Sequence, residues 1–102
     1  MSVISVNKSN LEALKKSEKP LLLDFFASWC GPCRMLSPVI DSIAEERDDI
    51  VVGKVDVDAE GELAEAFGVV SIPTLVVIKN GEVVNRASGA RPKAQVLALL
   101  EG

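Results

Sequence analysis

Leu21 to Ala27 reads Leu-Leu-Leu-Asp-Phe-Phe-Ala, a run in which only Asp24 is polar. Apolar residues at consecutive positions, rather than at alternate ones, mark a strand covered on both faces. Such strands belong to sheets with parallel pairing and helices packed above and below. Successive side chains of a strand point to opposite faces, so Leu22, Asp24 and Phe26 share one face and Leu21, Leu23 and Phe25 the other. Both faces are apolar, so Asp24 is buried whichever way the strand is turned. An unpaired ionised carboxylate there costs several kcal/mol, so its pKa is expected to rise.

The other elements follow from periodicity and punctuation. Val3 to Val6 is a short β-rich run. Ser9 and Glu12 have capping-box spacing and open a short helix to about Lys16, with Leu11 and Leu14 facing inward. From Cys33 to Arg47 the residues Leu36, Val39, Ile40 and Ile43 recur at helical spacing, and Pro38 inside that pattern is expected to kink the helix. Ile50 to Val57 reads as a second covered strand, and Glu62 to Phe67 as a short helix closed by Gly68. Pro73 introduces a strand from Thr74 to Lys79. Asn80-Gly81 is a two-residue hairpin signal, so the strand from Glu82 to about Ala87 runs antiparallel to its predecessor. Gly89 breaks that strand, and Pro92 suits the first turn of a last helix carrying Val96, Leu97, Leu99 and Leu100. The order β-α-β-α-β-α-β-β-α predicts an α/β fold whose sheet is mostly parallel, with helices on both faces, and mixed at the hairpin. With no internal repeat and no linker, residues 1–102 are expected to form a single domain.

Charge and composition narrow the function. Fifteen acidic and eleven basic side chains leave a net charge of −4, and the basic residues are scattered apart from Lys15-Lys16. Nucleic acid is held mainly through Lys and Arg on its phosphates, so it is not an expected partner. No apolar run approaches the roughly 20 residues that span a bilayer, and Met1 to Asn10 lacks a basic start followed by an apolar stretch. The expected location is therefore cytoplasmic. Histidine and tyrosine are absent, which removes mechanisms built on a His base, a His metal ligand or a Tyr proton donor.

The only two cysteines follow the covered strand directly, in Trp29-Cys30-Gly31-Pro32-Cys33. Zinc usually takes four ligands, mostly Cys and His, and this chain offers two Cys and no His. An inert disulfide closing a four-residue ring constrains the unfolded chain only weakly. Redox exchange suits the place best, because a strand ends, a turn follows and a helical pattern begins. Cys30 then sits at a helix N-terminus, where partial positive charge favours the thiolate. It is the expected nucleophile, at the exposed edge of the turn. Cys33, one turn further in, is expected to be more buried and to act second by attacking the mixed disulfide. Gly31 lets a partner's backbone come close, and Pro32 stiffens the turn.

Four further residues carry alternatives. Asp24 is either a carboxylate held by Lys54 or water without a role in turnover, or the proton acceptor for Cys33. Lys54 either pairs with Asp24 and tunes it or extends to solvent. Trp29 lies beyond the apolar run, which favours a partly exposed ring beside the thiols over a place in the core. Pro73 reads from pattern alone as a trans proline starting a strand.

These residues together resemble the thioredoxin family over essentially the whole chain. The resemblance rests on Trp29 to Cys33, on Asp24 in Asp24-Phe25-Phe26-Ala27, on Pro38, Lys54, Ile72-Pro73-Thr74, Lys79-Asn80-Gly81 and Gly89. It implies a five-stranded mixed sheet flanked by four helices, and a cis Pro73 packed against the cysteine pair. It implies a substrate groove made by Trp29, Gly31, Pro32, Ile72, Pro73, Gly89 and Ala90, with the Ile72 backbone pairing to an extended client. Catalysis is implied for Cys30 and Cys33, which form the disulfide, assisted by Asp24 and Lys54. No bound cofactor or metal is implied. It implies that electrons come indirectly from NADPH or ferredoxin through a thioredoxin reductase and leave to oxidised clients such as reductases and peroxidases. The protein is expected to be a monomer serving electron transport and cell redox homeostasis. Phe26 stands where tryptophan is often found, Arg34 where lysine is usual, and Ser88 where an apolar residue is frequent, with Arg91 close behind. That edge of the groove is therefore more polar and cationic. The leading function is a protein-disulfide reductase; an extracytoplasmic oxidase or isomerase, and a docking platform without chemistry, are the alternatives.

Overall fold

The covered strand lies at the centre of the sheet. The computed structural model describes residues 2–101. Along the chain run β1 (Ile4–Ser5), α1 (Lys8–Lys15), β2 (Leu21–Phe26), α2 (Gly31–Glu46), β3 (Val51–Asp56), α3 (Gly61–Ala66), β4 (Thr74–Lys79), β5 (Glu82–Ser88) and α4 (Lys93–Glu101). The strand order is β1-β3-β2-β4-β5. β1 and β2 both pair in parallel with β3, whereas β2–β4 and β4–β5 are antiparallel. The sheet is thus evenly mixed, not mostly parallel. The reason lies in α3. Its six residues span roughly 9 Å at 1.5 Å per residue, against about 20 Å for a six-residue strand. The rest of the connection, residues 57–60 and 67–73, returns the chain to the end where β3 leaves, so β4 runs the other way.

Strand parity sorts the core into two layers. Leu22 of β2, Val52 of β3, and Leu75 and Val77 of β4 pack with Leu36, Ile40 and Ile43 of α2 and Val96 and Leu100 of α4. Leu21, Leu23 and Phe25 pack on the opposite face with Leu11 of α1, Leu63 of α3, Val55, Val76 and Ile78. Asp24 and Lys54 share parity with the first set and so face α2. β1 approaches β3 closely at Gly53, where an added Cβ would lie 2.5 Å from Val6 Cγ2 and 3.2 Å from Leu23 Cδ2.

Two local expectations change. The cap of α1 is Asn7, not Ser9. The Asn7 side chain accepts from the Asn10 N–H at 3.0 Å, and Asn10 Oδ1 accepts from the Asn7 N–H at 2.9 Å. Asn10 also donates to the Ser5 carbonyl at 2.9 Å, which ties the helix start to β1 and places Ser9 inside the helix. Glu12 pairs instead with Lys15 at 3.4 Å. α2 begins at Gly31, two residues before Cys33, and continues past Pro38 to Glu46. The hairpin is as expected, with Asn80 at φ 54 and Gly81 at φ 79, the left-handed pair that matches the twist of the flanking strands.

Candidate active site

β2 ends at Phe26 and α2 starts at Gly31, so the connecting turn delivers Cys30 as the N-cap of α2. Its Sγ accepts a hydrogen bond from the Cys33 N–H at 3.2 Å. That N–H is one of the free donors every helix start carries, and it favours negative charge on the sulfur. A disulfide joins Cys30 to Cys33 with their Cα atoms 5.3 Å apart. Cys33 is the more buried of the two, at 3% exposure, but Cys30 is only 5% exposed. The expected exposed nucleophile is therefore corrected. Ile72, Phe26 and Val57 close around the cysteine pair, and Cys30 Sγ lies 4.0 Å from the Ile72 carbonyl oxygen.

Of the residues expected to form the groove, Ile72 packs against the cysteine pair. The Ile72–Pro73 bond is cis, as the family resemblance implies and against the pattern-only expectation of trans. Pro73 is buried. Its carbonyl accepts from the Gly89 N–H at 2.8 Å. Gly89 has φ +93, a conformation that glycine adopts without a Cβ clash. Gly31, Pro32 and Ala90 are exposed. Trp29 is 67% exposed, and its Nε1–H donates to Asp58 Oδ2 at 2.9 Å. The ring lines a cavity of about 210 Å³ with Val57, Ala64, Val69, Val70 and Ile72. At the other edge Arg91 donates from Nη2 to the Ser88 carbonyl at 2.9 Å, and its buried Nε has no hydrogen-bond partner.

Behind the disulfide lies a second cavity of about 140 Å³, lined by Asp24, Cys33, Arg34, Ser37 and Lys54 among others. Asp24 is 1% exposed, and its Oδ1 is buried without a hydrogen-bond partner. Burial pushes its pKa up to about 6; the Lys54 charge pulls it down, and Asp41 pushes it up again. Lys54 is the Cα ladder partner of Asp24, but its ammonium does not turn to that carboxylate. It donates to Ser37 Oγ and lies 3.5 Å from Asp41 Oδ1. Of the two alternatives for Lys54, direct pairing with Asp24 is not formed, and its charge acts on Asp24 through space. The two α2 oxygens lie nearer solvent, and a buried contact with Asp24 would cost the ammonium more of its hydration.

Asp58, Ser37 and Asp41 escaped sequence reasoning. Asp58 carries no local signal, because it meets Trp29 across 29 positions of chain. Ser37 and Asp41 did leave one. Cys33, Ser37 and Asp41 recur every four residues, which puts a thiol, a hydroxyl and a carboxylate on one stripe of α2. Among the described residues, no three His, Cys, Asp or Glu side chains gather where they could hold a metal ion.

With its two sulfurs joined across a helix start and Ile72 packed against them, the fold carries a disulfide placed for thiol-disulfide exchange. Its class is that of the thiol-disulfide oxidoreductases. The thioredoxin family model matches residues 2–102, and the chain belongs to that family. Thioredoxin of Mycobacterium tuberculosis H37Rv is 54% identical over 82 residues, covering 79% of this chain and 71% of that protein. Thioredoxin of Alicyclobacillus acidocaldarius is 40% identical over 100 residues, covering 97% and 95%. The structure of a mutant thioredoxin from Halobacterium salinarum superposes with a TM-score of 0.90 at 36% identity, covering 98% of this chain and 89% of that one.

Proposed function

We propose that the protein is a general protein-disulfide reductase and reusable dithiol carrier in which Cys30 attacks and Cys33 resolves. The observation that carries this order is the division of surroundings between the two sulfurs. Cys30 Sγ lies against the Ile72 carbonyl at the groove, whereas Cys33 lines the cavity that holds Asp24.

In the reduced protein the Cys30 thiolate, stabilised by the N-terminus of α2, attacks one sulfur of a client disulfide. A Cys30–client bond forms, the client's own S–S bond breaks, and one client thiolate leaves. Cys33 then gives its proton to the Asp24 carboxylate and attacks Cys30 Sγ. The second client thiolate leaves, and the Cys30–Cys33 disulfide has taken up the oxidation. Two electrons have moved to the client. The cavity is roomy enough for a bridging water between Asp24 and Cys33, and a carboxyl with a pKa of about 6 is mostly ionised and ready to accept at neutral pH.

A thioredoxin reductase, drawing on NADPH or ferredoxin, reduces the disulfide again. The partnership is supported by a Mycobacterium leprae protein described as a bifunctional thioredoxin reductase/thioredoxin, of which this chain spans 18% at 50% identity over 82 residues. Reductases and peroxidases with accessible disulfides are the client class, and the protein works as a monomer in the cytoplasm, where the poise keeps dithiols reduced.

Insulin reduction driven by dithiothreitol tests the proposal. Wild type accelerates precipitation of the insulin B chain, and the Cys30→Ser and Cys30→Ser/Cys33→Ser variants do not. Retained acceleration in the double variant would contradict a carrier role.

A further inference from the structure

We propose that Ser37 is a positioning residue: its hydroxyl holds the Lys54 ammonium against α2, leaving the Asp24 carboxyl without a direct partner at the cavity that reaches Cys33. The inference deepens, and rests on, the role given above to Asp24 in mixed-disulfide release.

Asp24 and Lys54 occupy matching positions on adjacent parallel strands, about 4.8 Å apart, with both side chains on the face that meets α2. A carboxylate and an ammonium on a four-carbon stem are within reach of each other from such positions. The ammonium nevertheless donates to Ser37 Oγ, with Asp41 Oδ1 at 3.5 Å. Asp24 Oδ1 is left buried and unbonded. The charged groups facing Asp24 are few: Lys54 from β3, and Asp41 and Arg34 from α2. β4 places apolar Leu75 opposite it.

Ser37 is the neutral acceptor that the ammonium uses, and it sits on the same stripe of α2 as Cys33 and Asp41. Removing its hydroxyl takes an acceptor from the ammonium and none from Asp24. Asp41 still lies 3.5 Å from the ammonium on the exposed side, and the buried acceptor left unbonded on that face of the sheet is Asp24 Oδ1. An opposite charge brought to within about 4–6 Å of a carboxylate lowers its pKa by about 1 unit or more. Ser37 thus keeps the carboxyl a better base for Cys33 than a salt-bridged aspartate would be.

The test is the titration of the Asp24 carboxyl in the oxidised protein, followed by carbon NMR, alongside the pH dependence of mixed-disulfide release. Alanine is the best helix former, so Ser37→Ala keeps α2 intact. It is expected to lower the Asp24 midpoint by about 1 pH unit, a roughly tenfold loss of proton affinity. Ser37→Thr restores the hydroxyl and with it the wild-type midpoint. In a Lys54→Met background Ser37→Ala moves nothing, because Ser37 acts through the ammonium. An unmoved midpoint in Ser37→Ala, or an equal shift with and without Lys54, overturns the assignment. The release rates score the Asp24 role separately. A midpoint that falls while the release profile stays unchanged upholds the hold of Ser37 on Lys54 and removes Asp24 from the release step.

Discussion

Asp24 and Lys54 are ladder partners at the centre of the sheet, yet the Lys54 ammonium is turned to Ser37 and Asp41 on α2. The carboxyl keeps the burial penalty that direct pairing would have offset. In the native state it therefore holds its proton to about pH 6, against 3.8 for an ordinary aspartate.

Linkage turns that difference into a stability profile. Between pH 4 and 6 the native state binds more protons at this site than the unfolded state, so stability falls as pH rises. The contribution is fully present below the unfolded pKa of 3.8 and is lost as pH passes through about 6. A shift of about 2 units corresponds to about 3 kcal/mol. Urea unfolding of the oxidised protein at pH 4 and pH 8 should reveal this fall in wild type and not in Asp24→Asn. Equal pH slopes for the two proteins would mean that Asp24 titrates normally.

Trp29 is pinned by a single bond to Asp58 at the edge of the proposed client groove. Both residues are exposed, so Asp58→Ala is expected to change stability by no more than about 0.5 kcal/mol. The released ring no longer presents a fixed wall, and KM for a protein disulfide should rise severalfold with kcat little changed. Steady-state kinetics make the comparison, and an unchanged KM would show that the bond does not order the groove.

Gly53 is the β3 partner of Ile4 in β1 and lies under the Val6 and Leu23 side chains. A methyl group there meets Val6 Cγ2 at 2.5 Å and Leu23 Cδ2 at 3.2 Å, and both side chains are buried in the close-packed core. Gly53→Ala is expected to cost about 1–3 kcal/mol, as overpacked cores do. The loss should appear as a lower urea midpoint at constant m-value, with insulin reduction by the folded fraction unaltered. A midpoint equal to that of wild type would place the strain elsewhere.

How far the molecule was legible depended on whether a signal was local. The covered strand, the burial of Asp24, the Asn80-Gly81 hairpin and the helix after the cysteines are written in consecutive residues, and each is present. The direction of β4 was not legible, because β-α-β order suggests a parallel return, whereas the connection through α3 returns the chain to the end where β3 leaves. Ser9 and Glu12 have the spacing of a cap, but Asn7 and Asn10 have it too, and the bond from Asn10 to the Ser5 carbonyl selects the second pair. In the site, Cys30, Cys33 and Asp24 announced themselves by chemistry. The cis bond before Pro73 followed only from the family likeness, and the Trp29–Asp58 contact had no precursor in the chain. Lys54 was legible as a buried-strand lysine, but its choice of Ser37 over Asp24 depended on how α2 lies across the sheet.

The order of attack is tested most directly by trapping. Reduced Cys33→Ser and Cys30→Ser proteins are each mixed with a disulfide client, quenched with acid, and weighed by mass spectrometry under non-reducing conditions. Cys33→Ser should accumulate a one-to-one covalent adduct through Cys30, because nothing remains to resolve it, while Cys30→Ser should form little or none. An adduct that builds up on Cys33 as fast as on Cys30 would contradict the assignment of Cys30 as the attacking sulfur.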